Sequence, residues 1–493
     1  MSETQKDFRD SVKAVSLFGS IQLFVILINI AKSKLIAILI GPTGLGIWGL
    51  FQSTINILRS STSFGLEVSS VRNVAEANGN GDIESVSEID TILKYLVWGT
   101  GLLGGGICLC LSPWLSEWTF GNKNYTLSFV YLSISLLFMQ LTVRHNVLMQ
   151  GLRKYKYLAF ANFIGNLCSL IISVPLYFYW GINAIVPIFI LSSLSVWVIS
   201  IYYSSKINIK KKVTVSSKEE VISRGKALLS LGFFISLQSI LATLATYIVR
   251  VYIHNMGSIE DVGLYTAGFA IINGYVELIF TALAKEYYPR LSEIINDPQN
   301  VSRIICNQIE LVLLLLAPII TFFVLCSNQI IVILYSDEFL SITSMLYWAI
   351  FAVYFRGLSY PLAYYLLAKG DVRCYFFNEL LAIVISLTAN IVCYHFLGLI
   401  GLGISCVILY VCYFLQSLFL VSWKYNVKIR INNFIGFLIH FLILILMLLI
   451  VVLLNGIEKY MIGLFLLILS IYITFHLLDK RIGIKMYLKN KMR

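Results

Sequence analysis

Stretches of about 20 almost wholly apolar residues recur along this chain with short polar breaks between them, the length a helix needs to cross a hydrocarbon core of roughly 30 Å. Inside lipid every backbone N–H and C=O must be satisfied within the protein, so only helices and closed barrels can span. A barrel strand would alternate polarity over about ten residues. The segment FLIHFLILILMLLIVVLL (437–454) shows no such alternation. The chain therefore reads as an all-α polytopic membrane protein. Of its 493 residues 58% are hydrophobic and only 13% charged, a balance that excludes a soluble enzyme.

The apolar pattern predicts about 14 transmembrane helices, with limits near 14–39, 44–71, 91–111, 125–149, 158–179, 182–204, 226–254, 261–284, 304–326, 340–368, 375–396, 399–423, 434–455 and 459–478. The first stretch has no small-residue cleavage site and is expected to stay in place. Basic residues gather at the amino terminus (Lys6, Arg9, Lys13) and in the even-numbered connections. These include Arg153, Lys154 and Lys156, then Lys210, Lys211 and Lys212, and the tail from Lys480 to Arg493. The opposite side holds Lys123 and Lys459. By the positive-inside rule both termini are expected in the cytoplasm. The net charge of +12 is thus spread between spans rather than gathered on one nucleic-acid-binding face.

An internal repeat is legible. LGIWGLF (45–51) falls on VGLYTAGF (262–269) with Gly46 opposite Gly263, 217 residues on, and Gly181 meets Gly398 at the same spacing. Gly151 falls on Gly370 at 219. The expectation is two pseudo-repeated six-helix lobes around a central cavity plus two C-terminal helices. Residues 1–204 form the N-terminal lobe, 205–225 a cytoplasmic connection, 226–423 the C-terminal lobe, and 424–493 helices 13 and 14 with a basic tail.

Charges within the spans are the candidate site residues, because an ion at membrane depth costs several kcal/mol unless it faces water, a partner or a substrate. Lys94 can snorkel and is set aside. Arg59 and Arg356 lie near mid-span, and the carboxylates Glu67, Glu277, Glu310 and Glu379 are too few and too scattered to pair obviously with each. Lys32 and Lys34 are about 200° apart around a helix, so only one can face a narrow path. The repeat brings Ser33 onto Arg250, a cation at equivalent depth. Lys34, Arg59, Arg250 and Arg356, with Lys32 as the alternative, would make a cationic cavity suited to a phosphate or diphosphate. Glu277, in the eighth span, is the candidate for proton coupling. Pro361, following Arg356 and Gly357, is either a helix break or a helix-packing residue.

Other patterns carry no chemistry. GLGIWG (44–49) and GTGLLG (99–104) match a dinucleotide fingerprint but follow no strand, and no P-loop sequence occurs, so neither nucleotide nor nucleic acid is an expected partner. Asn124-Tyr-Thr126 is a glycosylation sequon of little weight. The nine cysteines lack C-x-x-C spacing and the five histidines lack ligand spacing, so no metal and no cofactor is expected, and no nucleophile–base set suggests an enzyme.

KLIAILIGPTGLGIWGLFQS (34–53), followed by FGLEVSSVRNVAEANGNGD, resembles the opening of Wzx-type polysaccharide flippases of the multidrug/oligosaccharidyl-lipid/polysaccharide exporter (MOP) superfamily. AKEYYPRLSEI (284–294) and YSDEFLSITSMLYWAIFAVYFRGLSYPLAYYLLAKGD (335–371) are similar to that family's eighth-span exit and tenth span. The resemblance is strongest to the O-antigen and enterobacterial common antigen branch. It implies flipping of an undecaprenyl-diphosphate-linked oligosaccharide repeat unit across a bacterial inner membrane by alternating access. A polysaccharide polymerase and a chain-length regulator are candidate partners beside the membrane lipid. It also implies roles for Lys34, before the G-P-x-G-L-G turn, and for Arg356. Arg59, Lys32 and Arg250 rest on membrane energetics alone. The competing readings are a drug or cation exporter of the same superfamily, which would want acidic cavity residues, and a non-transporting scaffold for glycan assembly.

Overall fold

The computed structural model describes residues 3–207, 218–272, 274, 277–295, 297–427 and 434–482, and among them the secondary structure is helical throughout, without strands. The chain divides into two compact units, Met1–Gly263 and Leu264–Arg493.

In the first unit, helix α1 (Glu3–Thr62) is broken at Gly41 (φ 64°, ψ −172°), where Pro42 follows. Only glycine holds that conformation without strain, and proline restarts a helix without needing its missing N–H. A second left-handed glycine, Gly65 (φ 62°), turns the chain into α2 (Leu66–Gly79). Then come α3 (Ile83–Cys110), the short α4 (Ser112–Phe120), α5 (Thr126–Gly151), α6 (Tyr155–Trp180), α7 (Ile185–Ser205) and α8 (Lys218–Met256). Helix α5 packs against α3 and α7, and α6 against α7 and α1. Leu66, Val74, Leu93, Val97 and Val147 close the interior between α2, α3 and α5. The α1–α2 corner lies so close to α8 that a Cβ on Gly65 would stand 2.1 Å from the Gly232 carbonyl oxygen.

Helix α9 (Ile259–Ile271) runs across the division. The second unit continues with α10 (Glu277–Glu293), α11 (Pro298–Leu325), α12 (Ser327–Leu334), α13 (Thr343–Ala368), α14 (Val372–Phe419), α15 (Phe434–Leu453) and α16 (Ile457–Ile482). Helix α13 packs along α14 and α11, and α11 also meets α15 and α16. Tyrosines do much of the internal joining. A buried phenol packs its ring while its hydroxyl needs an acceptor: Tyr354 donates to the Phe437 carbonyl (3.1 Å), Tyr287 to Pro361 (3.0 Å) and Tyr360 to Phe280 (3.1 Å). Of the two readings open for Pro361, a helix break and helix packing, the first is not seen. Helix α13 runs through it.

The two halves repeat element by element. Helix α13 begins and ends 217 residues after α5, and α14 begins 217 after α6. The breaks at Gly181 (φ 52°, ψ −131°) and Gly398 (φ 59°, ψ −141°) share both spacing and conformation. Helices α3 and α11 are 215 apart at both ends, and their caps correspond: Asp82 accepts from the Ser85 amide and Asp297 from those of Gln299 and Asn300. The sequence match of Gly151 with Gly370 is corrected by two residues. The left-handed partner of Gly370 (φ 74°) is Arg153 (φ 56°). A Cβ on Gly46 would lie 1.9 Å from the Ile259 carbonyl oxygen, and one on Gly263 would lie 1.9 Å from that of Pro42, a reciprocal contact in which both pairs are again 217 apart.

Among the described residues ten helical stretches are long and apolar enough to cross a membrane, against the fourteen expected. The difference has a location. Leu27–Thr62, Tyr155–Ser205 and Arg373–Lys424 are 36, 51 and 52 residues long and contain the breaks at Gly41, Gly181 and Gly398. Helices α9 and α10, with 13 and 17 residues, are each shorter than a full span.

Candidate functional site

The first unit contains a cavity of about 280 Å³ between α1, α5, α6 and α7. Because the break at Gly41 lets α1 contribute two segments, Lys32 reaches it from one and Trp48, Gln52 and Arg59 from the other. Lys32 Nζ donates to Ser169 Oγ (2.7 Å), which in turn donates to Ser192 Oγ (2.7 Å). This chain fixes the ammonium while using one of its three donors. Asn146 and Asn166 add amides, and Trp48 stacks on Phe189 with ring centroids 6.2 Å apart. The lining holds two cations and no carboxylate, so its electrostatics favour an anion.

Arg59 lines a second cavity as well, also about 280 Å³, between α1, α2 and α8. Its walls carry Asn56, Ser60, Ser63, Ser236, Ser239 and Thr243. Glu67, whose pairing was not obvious from the sequence, stands 3.7 Å from Arg59 Nη2. The pair became possible because the left-handed turn at Gly65 starts α2 beside the end of α1. Both partners are more than a third exposed, and such a contact holds the guanidinium loosely.

The other expected cations do not all join this cavity. Lys34 is not among its lining residues, so the member of the Lys32/Lys34 pair that faces it is Lys32. Arg250 Nη1 donates to the Gly49 carbonyl (3.1 Å), which ties α8 to α1. Arg356 belongs to the second unit, where it lines a cavity of about 330 Å³ with Glu379, Tyr360, Tyr410 and Tyr413. Its guanidinium lies 4.7 Å from the Phe280 ring centroid and 5.7 Å from that of Tyr410, within cation–π range. The Tyr413 hydroxyl donates to Glu379 Oε1. Glu277 begins α10, and its side chain lies outside the described residues.

Sequence reasoning missed the neutral polar wall of the first cavity (Gln52, Asn146, Asn166, Ser169, Ser192) and the tyrosines of the second-unit cavity. Amides within apolar spans were the available signal. Serines carry less, since small hydroxyl residues also serve helix packing.

The fold resembles that of solved transporters. The inward-facing conformation of a multidrug resistance MATE family transporter of the MOP superfamily matches 84% of this chain and 99% of its own, with TM-score 0.68 at 15% identity. The lipid II flippase MurJ in its inward closed conformation matches 94% of this chain and 99% of its own, with TM-score 0.69 at 15% identity. A Pyrococcus furiosus transporter of the MOP superfamily, described as having reverse polarity of its binding pocket, matches 83% and 94% with TM-score 0.55 at 15% identity. No curated protein matches the sequence. With many apolar helices and this fold, the chain is a multi-pass membrane protein. The profile of one family, described as polysaccharide biosynthesis protein, matches residues 35–344, which is most of the chain, and the protein belongs to that family.

Proposed function

We propose that this protein is a flippase that moves undecaprenyl-diphosphate-linked oligosaccharide repeat units from the cytoplasmic to the periplasmic leaflet of a bacterial inner membrane, for a surface polysaccharide such as O-antigen. The observation that carries this reading is the cavity of Lys32 and Arg59, two cations and a wall of amides and hydroxyls inside an apolar helical shell, in a member of a polysaccharide biosynthesis family. A diphosphate needs cationic donors, and the attached sugars need neutral hydrogen-bonding groups. The polyprenyl tail remains in lipid.

In this proposal the repeat-related lobes, 1–204 and 226–423 joined through 205–225, rock to expose the substrate to one leaflet and then the other, with both termini in the cytoplasm. Binding energy assists transport only to the extent that it differs between the two states. The loosely held Arg59, shared between two cavities, suits such a change. Glu277 remains the candidate for proton coupling.

Deletion of the gene in its own cell tests the reading. Lipid-linked repeat units are expected to accumulate on the cytoplasmic face while surface polysaccharide disappears, and mass spectrometry of the trapped lipid names the glycan. Unchanged surface glycan together with new sensitivity to cationic drugs would overturn it in favour of an exporter.

A further inference from the structure

The second-unit cavity differs in chemistry from the Lys32 cavity. Its lining holds one arginine and one carboxylate, Arg356 and Glu379, where the other holds two cations and no acid. It also presents tyrosines, Tyr360, Tyr410 and Tyr413, with Ser359 and Ser386 beside them. Formal charge cancels across such a lining, so the site has little reason to hold a diphosphate. An uncharged ligand that needs both an aromatic face and strong hydrogen-bonding groups is the better fit.

A sugar ring is that kind of ligand. One face of a pyranose is a patch of C–H bonds, weakly positive at the hydrogens, and it packs on the negative face of an aromatic ring. Its rim is a ring of hydroxyls, each both donor and acceptor, which a carboxylate and a guanidinium engage more strongly than neutral groups do. The cavity supplies each part from a held position. Arg356 is oriented by the Phe280 and Tyr410 rings, Glu379 is oriented by the Tyr413 hydroxyl, and Tyr360 is anchored through its own hydroxyl to the Phe280 carbonyl. At about 330 Å³ it falls within the range of small-ligand pockets, about 300–1,000 Å³.

We infer that the cavity bounded by Arg356, Glu379, Tyr360 and Tyr410 is a binding site for an uncharged glycosyl ring, separate from the anion-selecting cavity of Lys32 and Arg59. This rests on the flippase reading and deepens it: one unit recognises the diphosphate common to all such carriers, and the other recognises the sugar that distinguishes them.

The test compares three probes on the purified full chain in detergent. They are undecaprenyl diphosphate, the lipid-linked repeat unit extracted from the deletion strain, and the water-soluble oligosaccharide released from it by mild acid. The wild-type protein is expected to bind the glycosylated lipid at least about tenfold more tightly than undecaprenyl diphosphate, a margin of one good charged hydrogen bond. Glu379→Gln, which keeps an acceptor for Tyr413, and Tyr410→Leu should erase that margin and abolish binding of the free oligosaccharide, leaving undecaprenyl diphosphate affinity unchanged. Tyr410→Phe should retain the margin, and Lys32→Gln should weaken both lipids equally. The inference is overturned if Glu379→Gln and Tyr410→Leu lower both lipids alike, or change neither. Should Tyr410→Leu fail to fold, Glu379→Gln alone decides. A wild-type protein that binds neither lipid would overturn the flippase reading itself, an outcome visible before any variant is made.

Discussion

Lys32 and Lys34 share a helix and a depth but not a face. Lys32 donates to Ser169 of α6, which donates to Ser192 of α7, and it is Lys32 that lines the cavity between α1, α5, α6 and α7. Replacing Lys32 by Gln keeps a donor for Ser169 and removes the charge. A charge-assisted hydrogen bond contributes about 1.5–3 kcal/mol, so affinity for undecaprenyl diphosphate should fall by about 10- to 100-fold. Lys34→Gln should lower it by less than about threefold. Binding of the lipid to the two purified variants checks this, and a larger loss for Lys34→Gln would reverse the assignment. The sequence isolated this pair because two cations in an apolar run are rare and costly. It could not choose between them, since the choice depends on which face of α1 meets α6. The resemblance, which favours Lys34, and the geometry, which favours Lys32, differ here. Arg250 was legible as an unusual intramembrane cation, but its use in holding the Gly49 carbonyl was not. Its acceptor belongs to backbone some two hundred residues away.

Whole elements were easier to read than their side-chain partners. The apolar span limits already placed breaks at Gly181 and Gly398, and their shared positive φ explains why the matched residue is glycine. The corner before α14 was less visible. There Lys424 Nζ (2.6 Å) and the Tyr425 hydroxyl (2.9 Å) meet Asp371 Oδ2, while the Cys374 amide donates to Oδ1 (3.0 Å). The start of α14 is thereby tied to the chain just beyond its end. Hydrogen bonds from Lys424, Cys374 and Tyr425 hold the Asp371 carboxyl down at about 2. An unfolded aspartate titrates near about 3.9. The stabilisation is therefore complete above that value and is lost as pH falls through about 2. Asp371→Asn should lower the thermal midpoint in detergent at neutral pH, and the gap to wild type should close between about pH 4 and pH 2. A gap that persists at pH 2 would show that the ionised carboxylate is not what ties this corner. No rule of spacing could connect residues 371 and 424. They meet only because α14 doubles the chain back at Gly398.

At the scale of the molecule the question is how often the chain crosses the bilayer. Arg373–Lys424 has 52 residues, and at 1.5 Å per residue a straight helix of that length would measure roughly 78 Å, more than twice a hydrocarbon core of about 30 Å. The break at Gly398 must therefore lie at a membrane surface if each half is to be a span, and by the repeat the same holds at Gly181. The basic residues say which surface. The positive-inside rule expects Lys123 and Lys459 on the side opposite the amino terminus and the more numerous cations, Arg153 and Lys154 among them, on the cytoplasmic side. In a background lacking the nine native cysteines, single cysteines at Asn124, Ile182 and Leu397, all exposed, should react with an impermeant maleimide added to cells whose outer barrier has been opened. A cysteine at exposed Asn80, separated from Asn124 by the span-length α3 and the short α4, should react only after the inner membrane is permeabilised. If Leu397→Cys is shielded from both sides, Arg373–Lys424 does not turn at the surface, and the count of fourteen fails at that element. If Asn80→Cys reacts first, the orientation is inverted, and under the proposed function the substrate would have to enter from the other leaflet.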